Sequence, residues 1–314
     1  MTSKGPRLLL TQREGAVLLE RARIFVDGGR LVYSQVQDTN EKVFNIPHAN
    51  LAIMFLGQGT SMTSDAARML SEEGVFVAFT GSGGSPLHYG ALTTYQGPER
   101  MRRWFRVSDN AGASLAASKC IMHARIDAVC AFGADLAEDF VPRIKRADLK
   151  NTAASFAKAI ISAQSSTELM GAEGRFAKQL YSLFASAARL TDFARRPGES
   201  NLSTAEGRAN ARIDQGNYIA YGIAGAVLWT LGIPSGLSVL HGKTRAGGLV
   251  FDLADSFKDA LILPLAFHDH SDEQSFRQEV INAIQDIELF KRCFVIADDM
   301  LSNGEHVFQQ GATA

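Results

Sequence analysis

Cysteine is scarce in this chain of 314 residues: there are three, Cys120, Cys130 and Cys293, and none stands in a CxxC spacing. An odd count without paired spacing excludes a disulfide framework and a zinc knuckle, and fits a reducing cytoplasm. Long apolar runs are also missing. The longest, LAIMFL at 51–56 and AYGIAGAVLWTLGIP at 220–234, are too short to span a bilayer or are interrupted by Gly and Pro. The opening MTSKGPRLLLTQREG lacks the apolar core and small-residue cleavage site of a secretory signal. A surplus of charge is absent too. At a formal net charge of −1 the chain cannot be a uniformly basic nucleic-acid binder, so any phosphate-binding surface must be local.

What is present describes a globular protein long enough for two ordinary domains, with 46% hydrophobic and 21% charged residues. Residues 1–97 read as strand-rich. The segments 23–26 and 31–34 flank Asp27-Gly28-Gly29, a hairpin signal. LAIMFL and VFVAF are continuous apolar runs that suit buried strands, and the segment 61–73 between them reads as a crossover helix ending at Gly74. Gly97-Pro98 marks a junction, and residues 98–314 are helical in pattern, with apolar residues at three- and four-residue spacing. The expected class is α+β: a strand-rich N-terminal domain joined to a larger all-α domain. The tail after Leu301 is expected to fray.

The chemistry concentrates in HGKTRAGGLVFDLADSFK at 241–258. If the residues after Phe251 are helical, Asp252 and Asp255 share one face and Lys258 extends it. Two carboxylates and the His241 imidazole suit a hard divalent cation that keeps positions open for water and a phosphate. The competing interpretation is an acidic helix start, with Asp252 as N-cap and Asp255 near the positive end of the dipole. Gly242-Lys243-Thr244 is no P-loop, because the glycine required five residues earlier is Leu237. The Gly-rich loops 57–61 and 81–85 read as turns rather than phosphate cradles. Candidate basic patches are Arg100, Arg102, Arg103 and Arg106, then Arg189, Arg195, Arg196, Arg208 and Arg212, and last Lys243 with Arg245.

A second acidic site, Ala172-Glu173-Gly174-Arg175, stands upstream. Together with NIPHANLAIMFLGQGTSMT at 45–63, GNYIAYG at 216–222, LGIPSGLSVLHGKTR at 231–245 and GGLVFDLADSFKDALILPLAF at 247–267, it resembles the CRISPR-associated adaptation integrase, the Cas-one family, in its type I-F branch. The resemblance implies Glu173, His241 and Asp255 as ligands of Mg²⁺ or Mn²⁺. Asp252 and Lys258 complete the catalytic set, and Lys243, Arg245, Arg175, Arg189 and Arg212 would be DNA contacts. It further implies a metal-dependent endonuclease and integrase that joins short duplexes to a CRISPR array by attack of a 3′-hydroxyl on a phosphodiester. The implied partners are double-stranded DNA, a second copy of the chain dimerised through the N-terminal domain, and a Cas-two partner fused to Cas-three. Tyr218 and Tyr221, one turn apart, read as packing residues rather than nucleophiles. The alternatives are a non-catalytic assembly subunit and a metal-dependent phosphohydrolase acting on nucleotides.

Overall fold

The computed structural model describes residues 9–37, 40–81, 86–90, 97–191, 193–198, 201–241 and 247–312. Among the described residues eight strands come first: β1 (Gly15–Leu19), β2 (Arg23–Asp27), β3 (Arg30–Gln37), β4 (Asn40–Asn45), β5 (Leu51–Leu56), β6 (Ser61–Met62), β7 (Phe76–Thr80) and β8 (Pro86–Gly90). Helix α1 (Ser64–Glu73) lies between β6 and β7. The strands form two four-stranded sheets, ordered β1-β5-β7-β8 and β4-β3-β2-β6.

In the second sheet the expected hairpin forms. Asp27 pairs with Arg30, and the turn between them is Gly28-Gly29 with φ of 52° and 76°, a left-handed pair that side chains disfavour. In the first sheet β5 and β7 run parallel, joined through α1. The Thr63 hydroxyl caps α1 by accepting from Ala66 N, and Gly74 ends it at φ 72°. The helix starts at Ser64, later than its sequence suggests, because Ser61 and Met62 pair with β2.

Strand β5, inside the first sheet, is buried on both faces, which explains its unbroken apolar run. Ile53 and Phe55 point with Ala16, Phe76 and Ala78 into the core shared with the helices. Met54 and Leu56 point the other way, into a smaller core with Ile24, Leu31, Leu70 and Val77. The sheet therefore belongs to both cores, and a cut after residue 97 follows the chain without separating two independent hydrophobic interiors.

Among the described residues ten helices follow: α2 (Pro98–Asp109), α3 (Ala111–Cys130), α4 (Phe132–Phe140), α5 (Arg146–Ser162), α6 (Ser166–Ala187), α7 (Ala205–Thr230), α8 (Gly248–Asp255), α9 (Lys258–Ala266), α10 (Glu273–Asp286) and α11 (Leu289–Ala312). Helix α7 is central, and its glycines set how closely neighbours approach. A Cβ on Gly216 would stand 2.6 Å from Ile262 of α9, and one on Gly222 would stand 2.4 Å from the Phe55 ring of β5. The tail does not fray as expected. Helix α11 continues to Ala312, because Gly304 packs on Val107 and Glu305 makes a two-bond ion pair with Arg103 of α2.

None of the described helices is long and apolar enough to cross a membrane.

Candidate metal centre and nucleic-acid face

Four helices, α3, α6, α8 and α9, and the 238–241 segment that precedes α8 supply the polar cluster. The competing N-cap interpretation of Asp252 does not hold, because α8 begins at Gly248 after Gly247 in the left-handed region. Asp252 sits in its second turn and Asp255 at its end, on one face. The helix breaks at Ser256-Phe257, so Lys258 opens α9 instead of continuing α8. It still reaches back to form an ion pair with Asp255 Oδ1.

Asp252 is fully buried, and a buried carboxylate needs its lone pairs satisfied. Its Oδ2 accepts from Ser238 Oγ at 2.6 Å, Val239 N at 2.8 Å and Leu240 N at 3.2 Å. Its Oδ1 accepts from His241 N at 3.0 Å and lies 2.8 Å from His241 Nδ1. One side chain thus folds the 238–241 strap and orients the imidazole. With Nδ1 turned to Asp252, Nε2 faces Asp255 Oδ2 at 3.8 Å. A carboxylate behind an imidazole fixes the tautomer that presents Nε2 to a metal. Burial disfavours the charged imidazole, but the Asp252 hydrogen bond and the Asp255 charge outweigh it and raise His241 above its ordinary value.

Asp255 is likewise buried, which by itself would raise its pKa; Lys258, Arg125 and His241 together hold it below the ordinary carboxylate value. Lys258 is shifted upward, burial being outweighed by Asp255, with Tyr221 and Asp259 adding to it.

Glu173 stands in the second turn of α6, whose start is capped by Ser165. Its Oε1 accepts from Arg125 Nη1 at 2.7 Å. Arg125, on α3, is 1% exposed and also binds Asp259 Oδ2 through Nε at 3.0 Å and through Nη2. Burial works against its charge, yet Asp259, Glu173 and Asp255 raise its pKa above the ordinary guanidinium value. The charge of this one residue therefore acts on both Glu173 and Asp255.

Among the described residues no three His, Cys, Asp or Glu side chains are gathered closely enough to hold a metal ion. Of the expected ligands, His241 and Asp255 face each other directly, while Glu173 is bonded to Arg125, whose charge also acts on Asp255. The donor chemistry nevertheless fits a hard divalent ion. An imidazole nitrogen and an oxygen 3.8 Å apart can share an ion that binds each at roughly 2.0 to 2.2 Å. Among the described residues, Arg125 pairs with Glu173 and Asp259, and Lys258 pairs with Asp255.

Arg125, Asp259 and Ser238 were not singled out in the sequence. A signal existed for the first: in α3 the buried stripe runs Ala117, Ile121, Arg125, Ala128, and an arginine on such a stripe needs carboxylate partners.

The basic patches divide sharply. Arg212 is not at a nucleic-acid surface: it is 3% exposed, and its guanidinium binds Glu273 Oε1 at 3.1 Å and the carbonyls of His268 and His270. Arg100 is paired with Asp298, Arg103 with Glu305 and Arg195 with Asp214. Arg102 and Arg106 are exposed. Arg175, Lys178 and Arg189 are exposed along one side of α6 and its end. Lys178 and Arg189 also line, with Tyr181, Ser182 and Arg195, a cavity of about 570 Å³. Arg189 closes α6 at φ 62°. Lys243 and Arg245 lie outside the described residues, as does most of the 81–85 loop. Tyr221 packs edge-on against Phe251 at 4.7 Å and against Tyr218 at 6.3 Å, in keeping with a packing role.

Comparison with known proteins places the chain in a family. The chain is 36% identical over 299 residues to the CRISPR-associated endonuclease Cas1 of Pectobacterium atrosepticum, covering 90% of each. It is 36% identical over 294 residues to the protein of the same name from Pseudomonas aeruginosa, covering 88% of this chain and 89% of that one. The fold is similar to that of TtCas1 in a TtCas1–DNA complex, with TM-score 0.67 and 22% identity over 92% and 91% of the two chains. It is also similar to a casposase bound to integration product, with TM-score 0.70 and 15% identity over 92% and 91%. These two structures speak for the fold, the α+β class expected from the sequence. Residues 16–286 match the family model for CRISPR associated protein Cas1, and the chain belongs to that family.

Proposed function

We propose that this chain is a metal-dependent DNA endonuclease and integrase of CRISPR adaptation, which inserts short duplexes into the CRISPR array by attack of a 3′-hydroxyl on a phosphodiester. The observation that carries the reading is the His241 ring held between Asp252 and Asp255. A ring locked by a saturated, buried carboxylate and aimed at a second carboxylate is a costly arrangement to build for packing alone. Support comes from relatives named as CRISPR-associated endonucleases and from a fold shared with a casposase bound to integration product.

Mg²⁺ or Mn²⁺ held by Glu173, His241 and Asp255 would supply a Lewis acid for a phosphate oxygen and lower the pKa of the attacking hydroxyl. The chain's own groups do the rest. Asp252 fixes the ring. Lys258, beside Asp255, places an ammonium where charge accumulates on the phosphate in the transition state. The exposed basic side of α6, with Lys243 and Arg245, binds the duplex backbone and carries no sequence information, so target choice falls to partners or to DNA shape.

The partners we assign are double-stranded DNA, a Cas-two protein fused to Cas-three as in the type I-F branch, and a second copy of this chain. A complex containing Cas1 and Cas2 is among the structures of similar fold. For the homodimer, the second sheet offers a surface with Val36 and Val43 exposed on one face of the β3-β4 hairpin, at the sheet edge.

An interpretation in which the carboxylates serve only the fold draws on the same ion pairs, Asp255 with Lys258 and Glu173 with Arg125. The two are separated by a strand-transfer assay with a labelled short duplex and an array plasmid, with and without Mg²⁺ or Mn²⁺. Transfer that needs metal and is lost in a folded Glu173→Ala variant supports the proposal. Transfer unaffected by chelator and by the substitution defeats it. Turnover of a mononucleotide ester without DNA would indicate a phosphohydrolase.

A further inference from the structure

Arg125 is the most buried cation among the described residues, 1% exposed, and is not among those assigned a role in the reaction above. Its fork is divided in a specific way. Nε and Nη2 both go to Asp259 Oδ2 on α9, while Nη1 goes to Glu173 Oε1 on α6. The guanidinium also stands 5.6 Å from the ring of Phe176, three residues after Glu173 on the same helix. Phe176 is itself stacked on Phe156 of α5, with centroids 4.4 Å apart. The arginine is therefore held on one edge by a carboxylate 4% exposed and on its face by a buried aromatic pair, and it offers its remaining edge to Glu173.

Glu173 differs from Asp252 in one respect. Asp252 has both oxygens engaged, whereas Glu173 uses Oε1 only, with no hydrogen bond to Oε2 among the described residues. A glutamate has three side-chain torsions, and without a fixed partner it would sample several positions at a cost in order. A planar fork with two anchors removes that freedom. A lysine would not, since a single ammonium cannot keep the two contacts that converge on Asp259 Oδ2 and reach Glu173 in the same plane.

We propose that Arg125, anchored by Asp259, is the positioning residue of the site, fixing Glu173 by one oxygen so that the other remains available as the third metal ligand. The inference rests on the metal-site reading above and adds to it the device that brings α6 into register with α9. Arg125 touches neither DNA nor metal and acts through Glu173.

The test uses the full chain and Mn²⁺ alone as probe, its binding followed by the loss of the free-ion paramagnetic resonance signal. Arg125→Lys should fold and weaken Mn²⁺ binding by about 10- to 100-fold, the range for residues that orient a ligand. In strand transfer kcat should fall while KM for the duplex stays the same. In a Glu173→Gln background the same substitution should produce no further loss of Mn²⁺ affinity, because its target is already gone.

A merely structural arginine behaves otherwise: Arg125→Lys would lower the melting temperature in both backgrounds and leave the Mn²⁺ affinity of the folded protein unchanged, which overturns the proposal. Should Arg125→Lys not fold, Asp259→Asn removes the anchor and retains the arginine, with the same expected pattern and the same overturning result. Failure of the underlying reading looks different. A wild-type chain that binds no Mn²⁺, with Glu173→Gln transferring strands normally, defeats the metal site and the positioning role together. Mn²⁺ binding lost in Glu173→Gln yet intact in Arg125→Lys defeats only the latter.

Discussion

Asp252 lies behind His241 with Oδ1 2.8 Å from Nδ1, and Asp255 lies in front of the same ring with Oδ2 3.8 Å from Nε2. Two carboxylates one helical turn apart thus do different work. The first is saturated by five hydrogen bonds and builds the strap, and the second is shared between the imidazole and Lys258.

The division predicts that Asp252→Asn harms the fold. An amide has one acceptor oxygen and would turn N–H groups toward backbone donors at 239–241. Each buried donor left unsatisfied costs about 1 to 3 kcal/mol. The urea midpoint should fall accordingly; an unchanged midpoint would show that the five contacts are not what holds 238–241 in place.

Two glycines of the sequence motifs should respond in opposite ways to alanine. Gly222→Ala drives a methyl into the Phe55 ring and should destabilise by about 1 to 3 kcal/mol through overpacking. Gly174→Ala, where a Cβ meets nothing within 4 Å on a helix, should be neutral or stabilising by up to about 1 kcal/mol. Thermal melts of the two variants check this, and equal losses would contradict the packing assigned to α7.

For DNA, replacing Arg175, Lys178 and Arg189 by Gln should weaken duplex binding at low salt. The slope of log K against log salt should drop by roughly one for each phosphate contact removed. Strand transfer at saturating duplex should be little affected. An unchanged slope would show that the α6 side is only a solvated face.

His270 gives a pH dependence of stability. Burial depresses its pKa below the ordinary 6.5, outweighing the bond from Nε2–H to the Leu265 carbonyl, with Arg212 adding to the depression. The unfolded chain then binds more protons than the folded one between the lowered value and 6.5, so stability rises with pH across that window and is lost as pH falls through it. Urea unfolding from pH 5 to pH 7.5 should show this slope, reduced in His270→Gln. The same slope in both proteins would assign the effect elsewhere.

Much of this protein was determined locally. The Gly28-Gly29 hairpin, the parallel pair around α1 and the helical remainder follow from turn chemistry and apolar periodicity, which act over a few residues. So does the pairing of Asp252 with Asp255, since a helix brings residues three apart to one face. Other features needed the assembled fold. Whether an arginine is a surface charge depends on carboxylates distant in sequence: Arg212 meets Glu273 and Arg103 meets Glu305, so both leave the DNA-facing set. Helix α11 runs on to Ala312 because Gly304 and Glu305 find α2, a contact no local pattern contains. The break between α8 and α9 and the capture of Glu173 by Arg125 likewise arise only when α3, α6, α8 and α9 pack together, because burial forces each charge to find a partner and only tertiary structure decides which one is within reach.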